Sequence, residues 1–309
     1  MGMSVNTAGM NETAIGAGTR PPPIWLRGPA SLMRFARRKP LGFLGLIIIT
    51  ALVVLAIPPV THAVAPYGYS TQQLRHRLEG ASATHPLGTD GSGRDVLSRL
   101  IYGSRVTVLV GFGAVAISEL MGSVIGLFSG YYGGWFDKIF QRVVDLFQSL
   151  PQLVVLISLL GLFGSGLWQM VIAIGLLGGP GGSRIIRGQV LTTMRRPFVE
   201  AARLTGAGDL RIMLQHVLPN VVPLIIFSAS VRIGAVILLE ASLSFLGFGL
   251  PPPFPSWGQM LTLDGREFMR RAPGLALYPG IAIGLAVFSF NVLGDALRDV
   301  LDPRLKSGR

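Results

Sequence analysis

VVPLIIFSASVRIGAVILLEASLSFLGFG, residues 221–249, is the stretch that decides the fold. An α-helix needs about 20 mostly apolar residues to cross the hydrocarbon layer of a bilayer. This run exceeds that length and carries only two charges, Arg232 and Glu240. Comparable runs lie on both sides of it, at about 41–58, 105–131, 136–163, 167–186 and 275–296. The composition agrees: half of the 309 residues are hydrophobic and 14% are charged, against about a quarter charged in a soluble domain. The expected fold is an all-α polytopic membrane protein with about six transmembrane helices.

The runs divide the chain. Residues 1–40 read as a largely disordered tail, rich in Gly, Ala, Thr and Pro, ending in the basic cluster Arg34, Arg37, Arg38 and Lys39. Residues 41–61 follow as an anchor helix. A cleaved signal peptide is the other reading of a basic cluster before an apolar run, but this cluster lies far from residue 1 and the run is long for one. Residues 62–103 form a polar segment in which Asp95 caps a short helix expected to lie along the membrane surface. Five helices fill 104–301, and 302–309 are a tail. Within the core, the third run is expected to kink at Pro151, and Gly178-Gly-Pro-Gly-Gly182 to interrupt the fourth, leaving a polar loop over 184–220.

Six spans put both termini on one side. Lys and Arg number six before residue 40, six in 184–216 and four from Arg298 onward, against five in 75–105 and three in 266–271. Excess positive charge marks the cytoplasmic side, so both termini and the 184–220 loop are expected there. The same rule explains the net charge of +12 without nucleic acid as a partner.

Several chemistries have no residues to carry them. The chain has no Cys, and His62, His76, His85 and His216 are scattered without ligand-like spacing, so no metal site is expected. A phosphate-binding loop ends in Gly-Lys-Ser/Thr, whereas Lys39, Lys138 and Lys306 follow Arg, Asp and Leu. The glycine-rich 88–93 stretch lacks the lysine for phosphate and the ladder of carboxylates for calcium, and reads as a structural turn. The chain is expected to bind no cofactor and to be no enzyme. Ionisable or polar residues inside spans are costly and become functional candidates: Glu119, Asp145, Arg232, Glu240, Asn291 and Asp295, which either line a polar path or pack between helices. Arg232 and Glu240 stand about two turns apart on one helix, too far for a direct pair.

The loop at 184–220 contains Phe198-Val-Glu200-Ala201-Ala202-Arg203-Leu204-Thr-Gly206-Ala-Gly-Asp209, and later His216-Val-Leu218-Pro219-Asn220. A helix over about 197–205 would end at Gly206 or Gly208, with Asp209 capping the next. Such a short helix between two spans suits a groove on a partner protein, or is an ordinary solvated connector; its amphipathicity alone does not choose.

The segment resembles the EAA motif of bacterial ABC importer permeases: Glu200-Ala201-Ala202, then Gly206, then Leu218-Pro219, with His216 where an aliphatic residue is usual. Three further stretches are similar to the C-type permease of dipeptide/oligopeptide importers: His85-Pro-Leu-Gly-Thr-Asp90 through Arg105, Ser244-Phe-Leu-Gly-Phe-Gly-Leu through Gly258, and Asn291 through Arg304. At 178–182 that family more often carries a bulkier, Trp-containing sequence. The resemblance implies a type I ABC importer permease fold. It makes Glu200, Ala201, Ala202, Arg203, Leu204, Gly206, Asp209, Leu218 and Pro219 the residues that couple to an ATPase subunit. It further implies a second permease subunit, two ATPase subunits that hold ATP and Mg, and an extracytoplasmic substrate-binding protein. The implied cargo is a dipeptide or oligopeptide, with nickel, glutathione or another small solute as the alternative. The intramembrane carboxylates keep an ion-coupled secondary transporter as the rival from another class.

Overall fold

A computed structural model describes Met33 and residues 35–301. The tails expected over most of 1–40 and over 302–309 lie outside the described residues. Residues 33 and 35–38 belong to a separate unit from the one that begins at Lys39, and the fold below is that of the second unit.

The first run becomes α1 (Pro40–Ala56), which starts with proline at its first turn. It stops at Ile57, whose extended backbone (φ −70°, ψ 123°) is what a following proline enforces. The chain turns by 92° into the short α2 (Pro58–Val64), so the anchor expected over 41–61 is broken, not straight. Asp95 then caps α3 (Val96–Tyr132), its side chain accepting from the Ser98 amide at 2.7 Å. The surface-lying helix expected before the second span does not form separately. Nothing breaks the backbone between residues 96 and 105, and at Gly103 the Trp257 indole fills the space where a Cβ would come within 2.8 Å. The result is one helix of 37 residues, roughly 55 Å at the usual rise, well beyond the hydrocarbon thickness.

After Gly133 and Gly134, both at positive φ, come α4 (Gly134–Ser149) and α5 (Gln152–Phe163). The expected kink at Pro151 is a full break of 82°, because Leu150 takes an extended conformation (ψ 138°) before the proline. Next, α6 (Leu167–Met194) runs without interruption through Gly178–Gly182, and residues 184–194 belong to it rather than to a loop. Helix α7 (Pro197–Leu204) leads to α8 (Asp209–Phe245). A short helix, α9 (Trp257–Met260), precedes α10 (Gly274–Leu301).

Why the glycine stretch does not break α6 is a matter of packing. Helices α3 and α6 form the most extensive helix pair among the described residues. Gly122, Gly126 and Gly130 on α3 face Gly179, Ser183 and Val190 on α6. An added Cβ would lie 2.9 Å from the Gly179 carbonyl at Gly122, and 2.6 Å from the Ser183 carbonyl at Gly126. Gly175 repays the approach, a Cβ there meeting Ile117 at 2.7 Å. Small residues at four-residue spacing let membrane helices pack backbone to backbone, and this contact holds α6 helical through Pro180.

Helices α3, α8 and α10 are long and apolar enough to cross a membrane, and counting each bent pair as one span raises the number to five. The 28-residue α6 is long enough but diluted by Gly, Pro, Gln and Arg. This is an all-α polytopic membrane protein. Its main core is shared by α1, α3, α5, α6, α8 and α10, and a second, smaller core gathers at one end of α3, α6 and α8 around α7. At the other end, a buried ion network ties the segment before α3 to the π-turn after α9. Arg94 Nε contacts Asp90 Oδ2 at 2.6 Å and its Nη2 contacts Asp264 Oδ2 at 3.3 Å. Arg99 Nε lies 3.5 Å from Asp90, and the Gly91 amide donates to Asp264 at 3.0 Å.

Candidate functional site

Helix α7 starts with Pro197, whose missing N–H costs nothing at a first turn. It ends in a tight closure: the Gly206 amide donates to Arg203 O at 3.0 Å and the Ala207 amide to Ala202 O at 3.1 Å. Gly206 stands at φ +80°, the left-handed backbone that this closure requires and that glycine supplies without steric cost. Val199 and Ala202 are buried, packed with Leu127, Ile186, Val190, Ile212, Met213 and Val217. That second core pins the helix against three spans and fixes which face looks outward. The outward face carries Glu200, Ala201, Arg203 and Leu204, and Leu204 is 84% exposed. Leu210 (62%) and Leu214 extend the exposed apolar strip onto α8.

Asp209 does not cap the next helix. Gly208 holds the cap position, and Asp209 opens the helix with its carboxylate accepting from the Tyr131 hydroxyl at 2.7 Å. The Tyr131 ring also lies under the Arg203 guanidinium, 5.9 Å from the ring centre. Tyr131, at the end of α3, thus bridges both flanks of the Gly206 turn. Past it, the start of α8 widens into a π-turn over Ile212–Val217. Pro219 accounts for the widening, since it offers no N–H to the Gln215 carbonyl and its ring crowds that group. Leu218 and Pro219 therefore shape the entry to the span, while Glu200 to Leu204 form the presented surface.

The intramembrane candidates separate into one cluster and several isolated groups. Glu119 on α3 and Arg232 on α8 come together, Arg232 Nε lying 3.1 Å from Glu119 Oε1. The Ser228 hydroxyl donates to Glu119 Oε2 at 2.9 Å. Arg232 Nη1 donates to Ser118 Oγ at 3.1 Å and to the Gly178 carbonyl at 2.8 Å. Arg232, Ser118, Ser228 and Gly178 line a cavity of about 840 Å³ between α3, α4, α5, α6 and α8, together with Gln148 and Gln152. Its remaining wall is mainly apolar.

The other candidates lie elsewhere. Glu240 is buried and accepts from Ser244 Oγ at 2.7 Å, a local bond along α8. Asp145 is exposed on α4 and pairs with Arg184 of α6. Asn291 sits against Gly234 of α8, where a Cβ would come within 3.4 Å of its amide, and Asp295 is exposed. Sequence reasoning missed Tyr131, Ser118, Ser228 and the Gly178 carbonyl, each joined to its partner across 54 or more positions. It also missed the pair of Asp137 and Arg187, whose Nε donates at 2.6 Å and which joins α4 to α6. The one available signal was that Arg232, inside an apolar run, needs a partner from another run.

Residues 122–307 match the family described as binding-protein-dependent transport system inner membrane component. The chain is 39% identical over 273 residues to the dipeptide transport system permease protein DppC of Alkalihalophilus pseudofirmus, covering 88% of each chain. It is 40% identical over 257 residues to the glutathione transport system permease protein GsiD of Pectobacterium atrosepticum, covering 83% of this chain and 85% of that one. GsiD of Escherichia coli O157:H7 is 38% identical over 271 residues, 87% of this chain and 88% of the relative.

Proposed function

Because the chain belongs to the family of binding-protein-dependent transport system inner membrane components, a family of transport permease subunits, we propose that it forms half of the translocation path of an ABC importer for peptides. The second permease subunit completes the path. Two ATPase subunits supply the energy and hold the ATP and Mg, this chain binding no cofactor of its own. An extracytoplasmic binding protein delivers the cargo.

One observation carries the coupling role: a short helix whose inner face is locked into a small core while its outer face leaves Leu204 almost wholly exposed. A helix packed this way transmits a push on its outer face to α3, α6 and α8 together. On ATP binding the ATPase pair closes, the α7 helices of the two permeases move with it, and the central path opens to the other side. Both termini and α7 then face the cytoplasm of a multi-pass inner-membrane protein. The segment before α3 and the stretch around α9, joined by the Asp90–Arg94–Asp264 contacts, form the surface on which the binding protein docks.

Peptide cargo is supported by the likeness to a dipeptide permease, and glutathione, itself a tripeptide with free carboxylates, by the likeness to glutathione permeases. The test of coupling is Gly206→Val in the reconstituted importer. A β-branched residue at φ +80° costs roughly 1–2 kcal/mol and opens the α7 turn. Uptake is expected to fall about tenfold or more while ATP hydrolysis continues and the subunit stays in the membrane, and Glu200→Arg should do the same. Unchanged uptake in both variants would sink the assignment.

A further inference from the structure

Arg232, inside the apolar run of α8, leaves much of its hydrogen-bonding capacity unused. A guanidinium carries five N–H groups, and only Nη1 donates hydrogen bonds among the described residues, to Ser118 and Gly178. Nε lies 3.1 Å from Glu119 Oε1, yet that buried oxygen receives no hydrogen bond among the described residues. The pair is in contact but not aligned. Nε and Nη2 form one edge of the guanidinium, the edge that receives a carboxylate through two parallel bonds. The glycine stretch of α6 leaves room for the guanidinium itself and its Ser118 partner: a Cβ at Gly182 would stand 2.8 Å from Nη2, and one at Gly178 would stand 2.9 Å from Ser118 Oγ. The side chain keeps 22% of its surface accessible and lines the cavity of about 840 Å³, a volume usual for small-molecule sites.

We infer that Arg232 is the intramembrane anchor for the free carboxylate of the cargo, with Glu119 holding the guanidinium in place while the cavity is empty. This rests on the peptide-importer reading and adds to it a residue and a chemical requirement. A peptide or glutathione always presents at least one carboxylate, whatever its side chains. A site that grips the carboxylate and leaves the rest against an apolar wall with a few amides and hydroxyls, such as Gln148 and Gln152, accepts many sequences and rejects solutes without the anion. No bond is made or broken; the cargo carboxylate takes the place of Glu119 at the Nε edge and gives it back on release.

The test uses the importer complex purified from membranes without its binding protein, and two probes, alanyl-alanine and alanyl-alanine amide. Thermal unfolding of the wild-type complex should shift upward with the acid and not with the amide. Arg232→Gln should abolish the shift, and Gly182→Leu should weaken it about tenfold by driving a side chain against Nη2 while the charge remains. Glu119→Gln should strengthen it. In uptake with the binding protein restored, Arg232→Gln should lower the preference for acid over amide about tenfold, the binding protein being the same for both complexes. Equal shifts for acid and amide, or a parallel loss of both in Arg232→Gln, overturn the anchor and leave a structural ion pair. Acid-selective binding to a complex that takes up nothing overturns the importer reading instead.

Discussion

A single carboxyl shows how position sets chemistry in this chain. Asp264, in the turn after α9, has its carboxyl pushed above the ordinary range, first by burial and then by the nearby Asp90; Arg94, the Gly91 amide and Arg99 pull the other way. Its folded value exceeds the unfolded one, near 3.9, so its contribution to stability is complete below that value and is lost as pH rises through the raised folded value. Melting of the segment around Asp264 should therefore occur at lower temperature as pH climbs from about 4 upward, and Asp264→Asn should flatten that dependence; a slope unchanged in the variant would refute the assignment. At the same scale, Asp209 shows the limit of reading side chains from spacing. Its place after two glycines suggests a helix cap, but Tyr131, 78 positions away, supplies a hydroxyl that takes its carboxylate. The Gly206 turn needed no such partner to be legible, because positive φ after a short helix is a local demand that only glycine meets readily.

At the scale of elements, the glycine content of α3 and α6 decides more than hydropathy does. Gly-Gly-Pro-Gly-Gly reads locally as a break, since each glycine costs a free helix about 1 kcal/mol, yet α6 continues through it against the matching glycines of α3. Gly126→Leu should therefore be severely disruptive, because its Cβ alone would meet the Ser183 carbonyl at 2.6 Å, while Gly188→Ala, with nothing within 4 Å of the new Cβ, should stabilise by about 0.5–1 kcal/mol. Thermal melting of the two variants in detergent separates packing from propensity: if both lose stability alike, backbone contact is not what holds this pair. Prolines acted as the sequence suggests at Ile57 and Leu150, the residues before them, which turn extended. The size of the resulting turn, 92° in one case and 82° in the other, is not set by the proline alone.

On the scale of the whole molecule, the natural absence of cysteine gives a direct test of orientation. In cells lacking the ATPase subunits, which would cover α7, Leu204→Cys should react with a membrane-impermeant thiol reagent only after the cells are opened, and Met269→Cys, exposed beyond α9 (61%), should react in intact cells; the reverse pattern would invert the topology. The apolar runs by themselves determined an all-α membrane protein, because a backbone in hydrocarbon must bond to itself within each segment, and that constraint is written residue by residue. The motif around Glu200–Pro219 was likewise legible, being local. What only the tertiary structure decided is which distant groups meet: Glu119 with Arg232, Tyr131 with Asp209, the glycines of α3 with those of α6. The physical reason is that a buried charge or a bare backbone surface states its need for a partner but not the partner's address, which depends on how the helices pack. The run at 221–249 was thus recognisable at once as a span, while the cavity wall it forms around Arg232 was not.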